Sequence, residues 1–494
     1  MVGVLGLAFL CLIASTWRWP LQWDAQVFHY INFLIGKGYA PYRDITDMNM
    51  PGTYLIEGWA MHLFGGGDLA WRIYDFTLLG LLTAALIMIA KPYDWVAGLF
   101  SGIMFALVHS TEGPENSAQR DEAMTMLIMV GYAFLFESLR RRKPWMMAVS
   151  GLSLGMACSI KPTAGPLALV LLAMAWWTLR KRGEAANPYL SAGVAGAGVA
   201  IAVVLGFLFR YHSIGAFFEI SRRITPYYAS LHHPSFVYMV RRSLPRVALL
   251  MLPFGLVAAY IDREWKNWER WALILGVLFG AFSYFAQHKG YAYHRYALVT
   301  FLLLWMSIEL SLAMRRQGWF SSIGIAGMAL GTFIMVPTYV HRVRAIVPTN
   351  EYTPSLVRDL TQLGGDTLQR KVQCLDLVDG CLNALYRLKL LPSTDSMGDL
   401  LFFSPEPSPV VDYYRDKFQQ QLNANPPSVI VLSKEWFNHD EGSFDKVNQW
   451  PQFSAYLTEN YNLIATRDFP MEQQRAYRIY VRKGMAFPQL NEGN

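Results

Sequence analysis

Residues 17–72 read WRWPLQWDAQVFHYINFLIGKGYAPYRDITDMNMPGTYLIEGWAMHLFGGGDLAWR, and they follow an apolar opening run at 2–16. The segment PGTYLIEGWAMHLF, residues 51–64, decides the topology. It is apolar, yet it spans only 14 residues and holds Glu57 and His62. A membrane-crossing helix needs ~20 apolar residues, so this length suits an interfacial or re-entrant helix. Whether 51–64 crosses sets the side of every loop that follows.

Outward from this stretch, apolar runs recur at 72–90, 95–110, 124–139, 145–160, 164–179, 189–209, 243–260, 271–286, 296–314 and 319–340, eleven with the first. Hydrophobic residues make up 53% of the 494 and charged residues 16%. Soluble domains carry about 25% charged residues, so these numbers exclude an ordinary soluble enzyme. They point to a polytopic α-helical membrane protein. Four basic clusters stand between the runs: Arg140–Lys143, Arg180–Arg182, Arg263 to Arg270, and Arg315-Arg316. Two runs separate each adjacent pair, so all four lie on one side, which the positive-inside bias makes cytoplasmic. The amino terminus is then cytoplasmic only if 51–64 stays on the outer face. Loops 17–71, 111–123, 210–242 and 287–295 and the tail are then external. The net charge of +7 follows from such loops and does not imply nucleic acid. The first run lacks a basic n-region and a cleavage pattern, so it reads as a span.

From about 345 the composition changes. Lys371–Val378, Ser428–Ser433, Asn462–Phe469 and Ala476–Val481 read as strands, and Tyr352–Leu363, Pro409–Leu422 and Phe444–Tyr461 as helices. This predicts a transmembrane domain over 1–344 and an extracytoplasmic α/β domain over 345–494. Cys374 and Cys381 both fall in the second. Two free or buried thiols is the plain reading, and a disulfide is permitted if that domain lies outside the cytoplasm.

Charge is costly near a membrane, so the external loops that concentrate it are candidate sites. Asp24 stands just beyond the first run, with Asp44 and Asp47 further along the loop and Arg72 at the head of the next run. STEGPENSAQRDE, residues 110–122, supplies Glu112, Glu115, Arg120, Asp121 and Glu122. These acids suit either a divalent cation held by hard oxygen ligands, with Asp24, Glu112 and Glu115 as a ligand set, or the positioning of a hydroxyl. The bland alternative is a solvated turn capping a helix. Lys161, in CSIKPTAGP, sits at a helix end, where a lysine usually snorkels. QHKGYAYHRY, residues 287–296, sets Lys289, His294 and Arg295 among tyrosines on the external side, against the charge bias. That favours an anion such as phosphate. No GxGxxG follows a strand, so no nucleotide-binding domain is indicated.

The opening segment resembles the GT-C superfamily of membrane glycosyltransferases, in its protein-mannosyltransferase and aminoarabinose-transferase-like branch. The features that carry the resemblance are Asp24 after the first run, the stretch from Gly38 to Pro51-Gly52, Phe64-Gly65, and Arg72 opening the next run. Asp24 is followed by Ala25 where the family has Glu, and Met50-Pro51 stands for its Pro-Pro. The resemblance implies a GT-C fold and transfer of a sugar from a polyprenyl-phosphate donor to a glycan, lipid or protein acceptor. It implies Asp24 as the base or the acceptor-orienting carboxylate, and the 112–121 loop, with Glu112, Glu115 and Asp121, as a second acidic site. Asp47 joins the catalytic candidates. Arg72, Arg120, Lys161, Lys289 and His294 are candidates for the donor phosphate. A glycan polymerase or ligase using diphosphate-linked donors is a rival in the same class. A transporter is the rival from another class, but no internal repeat is visible.

Overall fold

The computed structural model describes residues 2–490 apart from 232, 263–266, 347–350, 438, 440, 473, 474 and 489. Arg263, which heads one basic cluster, lies outside the described residues. Every apolar run is helical, the 243–260 run from Arg246 onward. Among the described residues, seven helices are long and apolar enough to cross a membrane. A bent pair, Phe236–Ser243 with Arg246–Ile261, adds an eighth with a 71° break. This is fewer than the eleven runs, for two reasons. Gly3–Thr16 and Pro144–Ile160 fall short of a full span. Two other runs are joined in one 44-residue helix, Asp68–Thr111.

That helix is not straight. Its 44 residues would measure about 66 Å, twice the ~30 Å hydrocarbon core. Pro92 stands inside it, and Asp94 leaves the helical region with φ −167° and ψ 116°. Beyond the break the chain runs back along itself. Gly98 lies against Leu86 and Ile87, and Gly102 lies against Thr83, so close that a Cβ on either glycine would clash. Residues 72–90 and 95–110 are thus two antiparallel helices. The 51–64 segment is one helix, Pro51–Phe64, and is not among the helices long enough to cross.

The basic clusters gather at one end of the bundle. Arg140 pairs with Glu269 at 2.6 Å, Arg142 with Glu184 at 3.3 Å, and Arg315 with Asp94 at 3.2 Å. Loops 17–71, 111–123 and 287–295 meet at the other end, together with Lys161 and Tyr228.

The tail holds a four-stranded sheet of β1 (Val372–Leu375), β2 (Val429–Ser433), β3 (Tyr461–Phe469) and β4 (Arg475–Arg482), in the order β1-β2-β4-β3. β1 and β2 are parallel, and β4 runs antiparallel to β2 and β3. Every residue of β1 and β2 is buried, as in sheets covered on both faces, whereas β3 is a largely exposed edge. Helix Asp24–Gly36 leaves the membrane part and packs into the tail. Its Val27, Phe28, Ile31 and Leu34 share one core with Leu382, Leu385 and Leu390. Tyr30 donates to the Leu390 carbonyl at 3.0 Å, and the Thr46 amide to that of Asp395 at 2.7 Å.

Cys374 and Cys381 form a disulfide with Cα atoms 5.9 Å apart, which corrects the free-thiol reading. The loop after β1 turns sharply back around Asp376, which brings the two thiols together. Closing a loop of this length stabilises the folded state by about 2–3 kcal/mol. Replacing both cysteines by serine is expected to lower the denaturation midpoint of the full chain correspondingly. An unchanged midpoint would show that the bridge adds nothing.

Candidate active site

A cavity of about 450 Å³ opens between the end of the bundle and the tail. Asp24, Asp47, Arg120, Tyr228, Tyr291 and Tyr293 form its membrane-side wall. Val378, Asp379, Lys434, Glu435, Trp436 and Arg475 line the opposite wall.

Local sequence explains how Asp24 gets there. Trp23 adopts φ 52°, which turns the chain sharply out of the first loop and starts helix Asp24–Gly36. Asp24 occupies its first turn, where unpaired N–H groups favour a negative charge. Its Oδ2 lies 3.9 Å from Arg120 and accepts a 3.3 Å hydrogen bond from the Tyr293 hydroxyl. Burial raises the Asp24 carboxyl above its ordinary pKa, and Asp47 and Asp121 add to this; Arg120 and Tyr293 oppose it. Arg120 opens the next long helix, Arg120–Arg141, and its guanidinium sits 5.5 Å over the Phe28 ring.

Asp47 faces the same cavity, but its Oδ1 is engaged. It accepts from the Asn49 amide at 2.8 Å, from Asn49 Nδ2 at 2.7 Å, and from the Tyr54 hydroxyl. Asp44 likewise closes a turn by accepting from the Ala40 amide at 2.9 Å. Glu57 is buried nearby with Oε2 unpartnered, and burial pushes its carboxyl well above the usual range. An acid in the middle of an apolar 14-residue helix was the signal for it.

The other predicted residues fall elsewhere. Asp121 is buried in a 2.6 Å ion pair with Lys161, which also donates to Gln287. These two stand behind Arg120 and are not part of the lining. Arg72 does not face the cavity. It is buried and donates to Asp75 at 2.7 Å, to Thr16 at 2.9 Å and to Ser117, between the Trp19 and Phe76 rings. Lys289 donates to the carbonyls of Tyr228 and Leu231 and is likewise turned away. His294 is buried against Tyr291 and Tyr293. Glu112 pairs with Arg295. Glu115 curls under Gly113, also away from the lining. Asp24, Glu112 and Glu115 are therefore not brought together as a metal site; among the described residues the groups with ligand spacing are Asp75–His109–Glu122 and Asp376–Asp379–Glu435. The tail wall escaped the sequence reading altogether.

Residues 50–209 match the family of dolichyl-phosphate-mannose-protein mannosyltransferases. No curated protein matches the chain by sequence. In structure the chain resembles ArnT from Cupriavidus metallidurans bound to undecaprenyl phosphate, with TM-score 0.58, 14% identity, and 99% of each chain covered. It resembles ArnT in the apo state at TM-score 0.58 and 11% identity, with 97% of each covered. It also resembles the Archaeoglobus fulgidus oligosaccharyltransferase tethered with an acceptor peptide, at TM-score 0.51 and 11% identity, covering 88% of this chain and 69% of that one. The chain has the GT-C fold of membrane glycosyltransferases, as its opening motif implied.

Proposed function

We propose that this chain is a glycosyltransferase that moves a sugar from a polyprenyl-phosphate donor to a cell-envelope acceptor, with Asp24 as the base. The observation that carries the reading is the pairing of Asp24 with Arg120 in a roofed cavity at one end of the bundle. The acceptor hydroxyl gives its proton to Asp24 as its oxygen attacks the sugar's anomeric carbon. The bond from that carbon to the phosphate oxygen breaks, and the polyprenyl phosphate leaves with the electron pair. A cation beside the leaving group lowers the barrier most when fixed in advance, and this reading gives that role to Arg120, 3.9 Å from Asp24. The neighbour bound to undecaprenyl phosphate supports a polyprenyl donor. Asp47 holds the shape of the wall, and Lys161 with Asp121 steadies Arg120 from behind. A resident metal is not required by this scheme.

The same reading assigns residues 1–344 to the catalytic membrane domain and 345–494 to an extracytoplasmic domain of a bacterial inner-membrane protein, with a cytoplasmic amino terminus. It is supported by the basic clusters at the end opposite the cavity and by the disulfide in the tail. Cysteine-accessibility labelling in the tail tests the orientation; labelling only from the cytoplasmic side would invert it and the site with it.

Arg120→Gln is expected to raise the KM for a polyprenyl-phosphate sugar. Charge-assisted hydrogen bonds contribute about 1.5–3 kcal/mol, so the loss should be roughly 10- to 100-fold in kcat/KM. An unchanged kcat/KM at limiting donor would remove Arg120 from the phosphate site.

A further inference from the structure

The tail wall of the cavity carries more negative charge than its neighbours balance. Among the described residues, Asp376, Asp379 and Asp399 are buried and Glu435 is half-buried, and the buried cations beside them are Lys446 and Arg475. Lys446 pairs with Asp399 at 2.5 Å and Arg475 with Asp379 at 3.4 Å. The two buried cations are thus taken up by Asp399 and Asp379, and among the described residues Asp376 and Glu435 have no ion pair. Buried charges are tolerated when paired or bound to metal.

The oxygens are arranged to meet a single ion. One carboxylate oxygen each from Asp376, Asp379 and Glu435 lies within 4.8 Å of the other two. Asp376 is fixed by accepting from the amides of Asp379 at 2.7 Å, Gly380 at 2.9 Å and Cys381 at 2.6 Å. Glu435 Oε2 accepts from the Val378 amide at 3.3 Å. Asp379 is the exception. Its residue is 6% exposed, it lines the cavity, and its Oδ2 has no hydrogen-bond partner. A buried acceptor left without a donor is costly, and a bound cation removes that cost.

We propose that Asp376, Asp379 and Glu435 form a divalent-cation site on the tail side of the cavity, with the cavity supplying water for the remaining positions. The donor set is oxygen only, which selects a hard ion of the calcium or magnesium class. The wide ligand spacing and partly wet setting favour calcium at an affinity of about 10⁻⁴–10⁻³ M, as in extracellular modules. The bound ion ties the loop after β1 to the loop after β2 and so stiffens this wall. The site does not depend on the transferase reading.

The test is terbium luminescence on the full-length protein in detergent after chelation. Trp436, adjacent in sequence to Glu435, serves as the sensitiser. The expected result is a saturable signal displaced by calcium. Asp379→Asn with Glu435→Gln should weaken it at least tenfold, and Asp24→Asn should leave it unchanged. No saturable signal in the wild type, binding retained by the double variant, or binding lost in Asp24→Asn would each overturn the site. If the double variant fails to fold, the wild-type melt decides: calcium at millimolar concentration should raise its midpoint, and a flat response overturns the proposal.

Discussion

Asp24→Asn is expected to fold and insert normally and to lose about 10²–10⁴-fold in transfer rate, the usual cost of removing a general base. The substitution keeps the size of the side chain and its bond from Tyr293 while removing the charge that accepts the proton. Its environment also sets a pH limb. Burial raises the Asp24 carboxyl above its ordinary value, so the ionised base is lost as pH falls through that raised pKa. Transfer should therefore decline on the acid side at a higher pH than an ordinary aspartate would give, and the asparagine variant should lack this limb. The measurement is sugar transfer from a polyprenyl-phosphate donor by purified protein across a pH series. A variant that keeps more than roughly a tenth of the wild-type rate falls short of what a base implies, and the assignment would then move to Asp47.

Arg72→Met should instead destabilise the fold, by about 3–5 kcal/mol, the cost of breaking a buried ion pair from one side. Arg72 and Asp75 are 1% and 0% exposed, so Asp75 would be left as a buried charge without its guanidinium partner. Asp75 also meets His109 Nε2 at 3.1 Å, and His109 Nδ1 lies 2.7 Å from the Tyr296 hydroxyl, so the damage spreads through a connected network. A thermal melt in detergent reads the loss. Arg72→Met with Asp75→Leu should recover more than half of it, because neither charge is then stranded. Full stability in the single variant would mean that the pair is solvated or inessential. Reduced transfer with an unchanged melt would return Arg72 to the phosphate site.

The contrast between Asp24 and Arg72 shows what the sequence could and could not reveal. Both are charged residues at the mouth of an apolar run. Asp24 follows a turn, and its side chain is directed at open space. Arg72 lies one helical turn before Asp75, and i, i+3 spacing puts the two side chains on one face. That spacing was visible, but burial of the pair depended on Thr16 and Ser117 arriving from other segments. The same holds for Lys289, whose partners are carbonyls 58 and 61 residues away. The bundle was legible because apolar runs are a one-dimensional signal, and even the hairpin at Asp94 was marked by the Pro92 that precedes it. The tail wall was not legible. Asp376, Asp379 and Glu435 sit in loops after different strands and converge only through the parallel pairing of β1 with β2.

Helix Asp24–Gly36 has its apolar face inside the tail's core, and this orders events in time. Tyr30 waits for Leu390, which is 360 residues later in the chain. At about 5–20 residues per second of synthesis, the wait is roughly 20–70 s. During it Val27, Phe28, Ile31 and Leu34 have only the Tyr42, Tyr54 and Ile220 side of their core, and the cavity has only one wall. The cavity is thus complete only once the tail has packed against the first loop. A chain that stopped before the sheet would lack the tail wall of the cavity and would leave the side of this helix that meets Leu382, Leu385 and Leu390 uncovered.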